Sequence, residues 1–228
     1  MQPTNANETV RWLSILSHYN LGTVLGIEAG GGTAAAKVIV TSERGRYLLR
    51  SRRPMSSGDE IVAFDHAVIL AIADAGLPTA RPEPSDTGQT WVRDGECAFE
   101  VLPFIEGLKP FTQGNRRQIQ SAARTLARFH RATAALNPPG RKDWPREHRI
   151  RTMADTLAQT IADTPPAGEG LNDARYMLHS AEELSSLLTD ETVATLPHVI
   201  THGDYTPANV LFQGDEVGGI FDFDWVSH

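Results

Sequence analysis

The sequence predicts an α+β protein that begins with a small antiparallel sheet and continues mainly as helices. Three observations predict it. Apolar or β-branched runs at 23–28, 34–41 and 47–50 are separated by Gly30-Gly31-Gly32 and Ser42-Glu43-Arg44-Gly45, the pattern of a meander. Asp94-Gly95 lies between Trp91-Val92-Arg93 and the run 96–101, and Asp-Gly suits a type I′ hairpin, whose central residues need positive φ. Beyond residue 113 the apolar spacing becomes helical.

At the start, Val10, Leu13, Ile15 and Leu16 predict a short amphipathic helix before Tyr19, packed on the sheet. After the meander, a helix from Gly58-Asp59 to Ala75 turns Ile61, Phe64, Val68, Ile69 and Ile72 to the core, and Gly76-Leu77-Pro78 stops it. The strand after Asp94-Gly95 runs into Leu102-Pro103-Phe104-Ile105-Glu106-Gly107. The next helix, 113–135, lines one face with Ile119, Ala122, Ala123, Leu126, Ala127, Phe129 and His130, and ends at Asn137-Pro138-Pro139-Gly140. A charged connector, 141–151, leads to helices at 150–161 and 171–188. Three short apolar runs follow, at 197–200, 210–212 and 217–221.

Composition excludes several classes of function. A net charge of -7 and a pI near 5.6 speak against a nucleic-acid binder, which presents a basic face. No apolar run approaches the ~20 residues that span a bilayer, so no membrane partner is expected. The first residues have neither a basic region nor an apolar core, and the single Cys97 excludes an internal disulfide. Together these predict a cytoplasmic protein. Cys97 itself reads as a small strand residue rather than a nucleophile.

The most informative stretch is Thr201-His202-Gly203-Asp204-Tyr205-Thr206-Pro207-Ala208-Asn209-Val210-Leu211-Phe212, followed by Ile220-Phe221-Asp222-Phe223-Asp224. An Asp, an Asn five residues on, and a second Asp at the end of the next apolar strand is the spacing with which kinases surround ATP. In that arrangement Asp204 accepts the proton of the acceptor hydroxyl, Asn209 holds one Mg2+, and Asp222 holds the metal that bridges the phosphates. Hard Mg2+ prefers such oxygen ligands. A polar turn between strands would explain H-G-D alone, but not the Asn209 offset and the D-F-D ending together. Neither G-x-x-x-x-G-K-[ST] nor G-x-G-x-x-G occurs, which excludes a P-loop reading.

On H-G-D-x-x-x-x-N, the apolar strand and D-F-D, the chain resembles the aminoglycoside phosphotransferase and choline kinase family, which includes homoserine kinases of the same build. The resemblance implies a bilobal protein-kinase-like fold, use of ATP and Mg2+, and a small-molecule hydroxyl acceptor. It implies a nucleotide-binding lobe over 1–103, a hinge at 104–107 and a catalytic lobe over 108–228 that lacks its last helices, so that the chain is expected to be about two-thirds of a complete enzyme. Gly30, Gly31 and Gly32 would lie over the phosphates, although a plain flexible turn explains them equally. Arg50 would be the strand cation in place of the usual Lys, with Arg52 and Arg53 either a solvated strand end or sharing its role. Asp65 would be its helix partner, or an exposed helix acid. The Phe104 carbonyl and Ile105 amide would meet adenine. His202 would anchor backbone at the metal site, and Asp224 would approach a second metal through water or cap the loop. Leu126-Ala127-Arg128-Phe129-His130 resembles the family's L-A-x-x-H segment, with His130 a packing residue. The stretch 16–50 looks most like homoserine-kinase-type members. The substitutions at Arg50 and Asp65 and the abrupt end also fit a non-catalytic or truncated kinase-like nucleotide binder.

Overall fold

A computed structural model describes residues 6–31, 36–140, 142, 146–196 and 198–228. The chain divides into two compact units, one of residues 1–142 with 199–228, the other of 143–198. The hinge expected at 104–107 lies inside the first unit.

In the first unit, helix α1 (Ala6–Leu16) precedes a sheet of β1 (Val24–Ala29), β2 (Lys37–Ser42), β3 (Gly45–Ser51), β4 (Val92–Asp94) and β5 (Cys97–Pro103). Its order is β1-β2-β3-β5-β4, every pair antiparallel. Alternation decides the faces. Val38 opposes Leu49 and Val40 opposes Tyr47, all buried on one side. Trp12, Ile15, Leu16 and Tyr19 cover that side. The Trp12 ring meets Phe99 edge-on at 5.8 Å, and the Tyr19 hydroxyl donates to the Phe99 carbonyl at 3.1 Å. The α1 face differs from expectation: Val10 and Leu13 are 68% and 44% exposed. The larger Trp12, which the apolar count left out, anchors the helix instead.

A second core lies between α2 (Asp59–Asp74), α3 (Arg116–Thr133) and the hairpin β6 (Val210–Gln213) and β7 (Glu216–Ile220). Phe64, Val68, Ile69, Ile72, Phe129, Ile200 and Ile220 are buried in it. Each such side chain contributes about 1.5–3 kcal/mol on burial. Ile61 is only partly buried, whereas Val62, Asp65 and His66 are buried. The buried face of α3 is also shifted, to Gln118, Ser121, Thr125, Phe129 and Thr133, while Ile119 is 53% exposed. The reason is polar pairing. Gln118 donates to the Gly214 carbonyl at 2.8 Å, and the Ser121 hydroxyl donates to Glu216 at 2.6 Å while accepting from the Val217 amide at 3.0 Å. Satisfied hydroxyls and amides can be buried, and a hydrophobic count does not register them. Asn115 caps α3 through the Arg117 and Gln118 amides.

The hairpin is tied to the rest of this unit by backbone bonds. Lys109 and Phe212 exchange two at 2.8 Å, and Ile220 donates to the Pro78 carbonyl at 2.8 Å. Of the run at 197–200, Pro197 lies outside the described residues and 198–200 join no sheet; pairing begins at Thr201 with Ser227.

The second unit holds α4 (Arg146–Asp163), α5 (Glu169–Leu187) and α6 (Asp190–Thr195). The first two pack together, with Ala154 and Ala181 buried. Since α4 starts at Arg146, it absorbs much of the expected connector. Thr189 caps α6, accepting from the Thr192 amide at 3.2 Å.

Candidate active site

The loop before β6 and the turn after β7 meet through one close approach. Gly203 has φ +78°, and a Cβ there would stand 2.1 Å from the Trp225 carbonyl oxygen, so only glycine lets the strands of chain pass. His202, 1% exposed, donates from Nε2 to the Phe221 carbonyl at 3.1 Å and accepts at Nδ1 from the Asp204 amide at 3.4 Å. Those two roles fix the neutral tautomer. Burial pushes its pKa below the usual value, outweighing the opposite pull of the Phe221 carbonyl and of Asp204 and Asp222. With both nitrogens engaged, His202 anchors backbone and has no lone pair for nucleophilic work.

Asn209 fixes the acid of the loop. Its Nδ2 donates to Asp204 Oδ2 at 2.7 Å and to the Asp204 carbonyl at 3.0 Å, and its own carbonyl accepts from the Phe221 amide at 2.9 Å. The Tyr205 hydroxyl holds the same loop to α3 through the Ala122 carbonyl, 2.9 Å away. Asp204 Oδ1 and Asn209 Oδ1 have no hydrogen-bond partner among the described residues. Asp222 has φ 60° and ψ 71°, the left-handed region, alone among described non-glycine residues. Its side chain is 37% exposed. A single-turn 3₁₀ helix, Phe223–Trp225, follows it.

Beside this turn lies a buried network of charges. Arg50 on β3 stands opposite Glu100 on β5 and bonds it, reaches Asp224 at 2.7 Å and lies 3.7 Å from Asp222. Arg52 donates to Asp65 and to the Ser56 carbonyl at 3.0 Å, with Asp224 at 3.2 Å. Its Nη1 makes no hydrogen bond among the described residues and stands 3.6 Å from Glu100. Lys142 donates to Asp65 at 2.5 Å and to the Asp224 and Phe223 carbonyls at 2.7 and 3.4 Å. His66 bonds Glu100 through Nε2 and Thr90 through Nδ1, the latter at 2.5 Å. Burial alone would raise the Glu100 carboxyl, but Arg50, Arg52 and His66 hold it well below the usual carboxylate range.

The expected Arg50–Asp65 pair is therefore replaced. Arg52 lies just past the end of β3, where its amide donates to the Ala98 carbonyl at 2.7 Å; the register sets Arg50 against Glu100, and Arg52, two residues on, meets the helix acid. Asp65 is wholly buried rather than an exposed helix acid. Asp224 is an ion-pair partner of both arginines. Glu100, His66 and Lys142 were not singled out in the sequence. For Glu100 a signal existed: an acid inside the apolar strand Cys97–Pro103 needs a partner.

Of the other expected positions, Phe104, Ile105, Gly30 and Gly31 lie among the described residues. The Phe104 amide donates to the Arg46 carbonyl at 2.9 Å, which continues the β3–β5 ladder, while the Phe104 carbonyl and Ile105 amide have no partner among the described residues. The Arg46 guanidinium lies 4.7 Å over the Phe104 ring and 2.8 Å from Glu106. At Gly30 a Cβ would stand 2.8 Å from the Lys37 carbonyl, at Gly31 it would meet open space, and Gly32 lies outside the described residues. Among the described residues no three His, Cys, Asp or Glu side chains form a metal-binding group. The hard oxygens suited to a divalent cation are the Asp222 carboxylate and the Asn209 amide oxygen. Among the described residues no helix is long and apolar enough to cross a membrane.

The homoserine kinase of Parvibaculum lavamentivorans is 24% identical over 216 residues, 92% of this chain and 62% of its own length. This chain thus spans less than two-thirds of that relative. The structure of amicoumacin kinase hAmiN in complex with AMP-PNP, Ca2+ and Ami superposes with a TM-score of 0.69 at 15% identity, over 98% of this chain and 65% of the other. The microcompartment-associated aminopropanol kinase gives a TM-score of 0.62 at 15% identity, over 96% and 70%. These likenesses show a protein-kinase-like α+β fold. Residues 26–227 match the model of the phosphotransferase enzyme family, and the chain belongs to that family.

Proposed function

We propose that the chain carries the nucleotide-binding and catalytic residues of an ATP-dependent phosphotransferase acting on a hydroxyl of a small molecule. The observation that supports this most is the state of Asp204. One carboxylate oxygen is held by Asn209, its backbone is held by His202, and the other oxygen has no partner among the described residues. A positioned base with a vacant lone pair can take the proton of an acceptor hydroxyl while that oxygen bonds to the γ-phosphorus. The bond from phosphorus to the β-bridging oxygen breaks, and ADP leaves.

The other residues bind and orient. Asp222 and the Asn209 amide oxygen are the ligands for Mg2+, which when bound with ATP neutralises phosphate charge. Asp222 suits this because it is half-exposed and lies 3.7 Å from its nearest cation, Arg50, too far for a hydrogen bond. Arg50 faces the phosphates as the strand cation, with the backbone at Gly30 and Gly31 above them. The Phe104 carbonyl and Ile105 amide receive adenine at a hinge, 104–107, between lobes 1–103 and 108–228. The acceptor belongs to the hydroxy amino acids or amino alcohols, in line with the relatives named homoserine kinase and aminopropanol kinase.

The test is MgATP turnover by the purified chain against homoserine, amino alcohols and aminoglycosides, followed as ADP formed. ADP release that depends on a hydroxy amino acid or amino alcohol is expected. MgATP binding without acceptor-dependent turnover for any compound would replace this reading with that of a non-catalytic nucleotide binder.

A further inference from the structure

We propose that Lys142 is a positioning residue of the phosphotransfer site, fixing the backbone on the C-terminal side of Asp222 so that this carboxylate keeps a single orientation. The inference rests on Asp222 being the cation ligand proposed above, and it starts from strain. A non-glycine residue in the left-handed region persists where its surroundings over-determine it. Before Asp222 the restraint is plain: the Phe221 amide donates to Asn209 and its carbonyl accepts from His202. After Asp222, the Phe223 carbonyl accepts from the Val226 amide at 3.1 Å and from Lys142 Nζ at 3.4 Å, and the Asp224 carbonyl accepts from Lys142 Nζ at 2.7 Å. Lys142 therefore holds on one side what His202 holds on the other.

The ammonium has three donors, and the acceptors it meets among the described residues include these two carbonyls and Asp65 Oδ1. Neutralising Asp65 does not by itself account for the lysine, because Arg52 already bonds that carboxylate. What Lys142 adds is a strut from α2 to the turn. The chain is built to deliver it. Gly140, at φ +84°, would place a Cβ 2.1 Å from the Glu60 carbonyl, so the backbone presses directly on the first turn of α2 two residues before Lys142, which is 7% exposed.

The test compares wild type with Lys142→Met, which keeps the unbranched four-atom stem and removes all three donors. Hydrogen exchange across 221–226 and Mn2+ binding by electron paramagnetic resonance, with ATP present, are read beside kcat and KM. Groups that orient a ligand from behind typically change metal affinity or activity roughly 10–100-fold. A loss of that size in Mn2+ affinity and kcat is expected, with faster exchange at 221–226 and KM for the acceptor little changed. Because Lys142→Met leaves Asp65 with one cation fewer, Lys142→Met with Asp65→Asn is the second variant, and the same losses are expected in it. A folded variant with wild-type Mn2+ binding and exchange overturns the proposal, as does failure of both variants to fold, which would make the lysine a stability element. If wild type shows no phosphotransfer, the proposed function falls, while exchange and Mn2+ binding still decide the role of Lys142.

Discussion

The turn around Asp204 and Asp222 and the network around Asp65 and Glu100 hold acids by opposite means. In the first, backbone holds them: a glycine passage at Gly203, a neutral His202 bridging two segments, and a left-handed Asp222. The carboxylates stay partly exposed, and Asp204 has no cation partner among the described residues. In the second, Arg50, Arg52 and Lys142 hold them, and Asp65 and Glu100 are buried. A carboxylate held through backbone keeps lone pairs for a ligand. One buried among cations is neutralised and closed to solvent, and it serves to join β3, α2, β5 and the turn.

The contrast predicts that variants at Arg52, Asp65 and Glu100 act on stability and variants in the turn act on binding and turnover, with Arg50 and Lys142, which also bond the turn and have proposed roles in the site, acting on both. The largest stability effect belongs to Arg52→Met, since removing one partner of a buried pair leaves charge uncompensated at a cost of about 3–5 kcal/mol. Urea unfolding measures it, and a loss below about 1 kcal/mol would break the comparison. Asp224 lies at the border. Asp224→Ala should destabilise by about 1–3 kcal/mol, because two arginines lose an acceptor. Asp222→Ala should leave stability nearly unchanged yet weaken MgATP binding at least ~10-fold. Calorimetric titration of both variants checks this, and greater loss of binding at Asp224 would exchange their roles.

A smaller effect comes from His202. Its unfolded pKa is ~6.5 and burial depresses the folded one, so the unfolded state binds more protons as the pH falls. The stability tied to neutral His202 is fully present above ~6.5 and is lost as pH drops through the folded value. Urea melts between pH 7.5 and 5.5 should therefore show a decline that is shallower in His202→Gln, and equal slopes would contradict the assignment. The smallest effect is a gain. Asp222→Gly relieves left-handed strain of ~1–2 kcal/mol against ~0.5–1 kcal/mol of added chain entropy, a net stabilisation of up to ~1.5 kcal/mol. A higher melting temperature with weakened MgATP binding is the expected pair of results.

These two regions also differ in how far the sequence discloses them. The turn is short-range: Asn209 bonds an acid five residues away, and His202 a carbonyl 19 away. Short offsets along the chain bring such residues to notice, which is why H-G-D-x-x-x-x-N and D-F-D singled them out, although the Asn209–Asp204 bond itself was not expected. The network joins residues 77 and 174 apart, as in Lys142–Asp65 and Arg50–Asp224. Strand register chooses between Arg50 and Arg52 as partner of Asp65, and register is set by tertiary pairing that no local pattern contains. The sheet, α2 and the Asp94-Gly95 hairpin were legible because alternation and turn chemistry are local. The α3 face was not, because Gln118, Ser121 and Thr125 are buried by hydrogen bonding and packing that a hydrophobic count passes over.

The most direct test of the proposed division between a catalytic turn and a structural network is Asp204→Asn, read for acceptor-dependent ADP formation, MgATP affinity and melting temperature together. Asparagine retains the shape and loses the basic oxygen. Loss of a positioned general base lowers turnover by roughly 10²–10⁴, and the account predicts that loss with MgATP affinity and melting temperature close to wild type. Turnover equal to wild type, or a fall in turnover matched by unfolding, would contradict it.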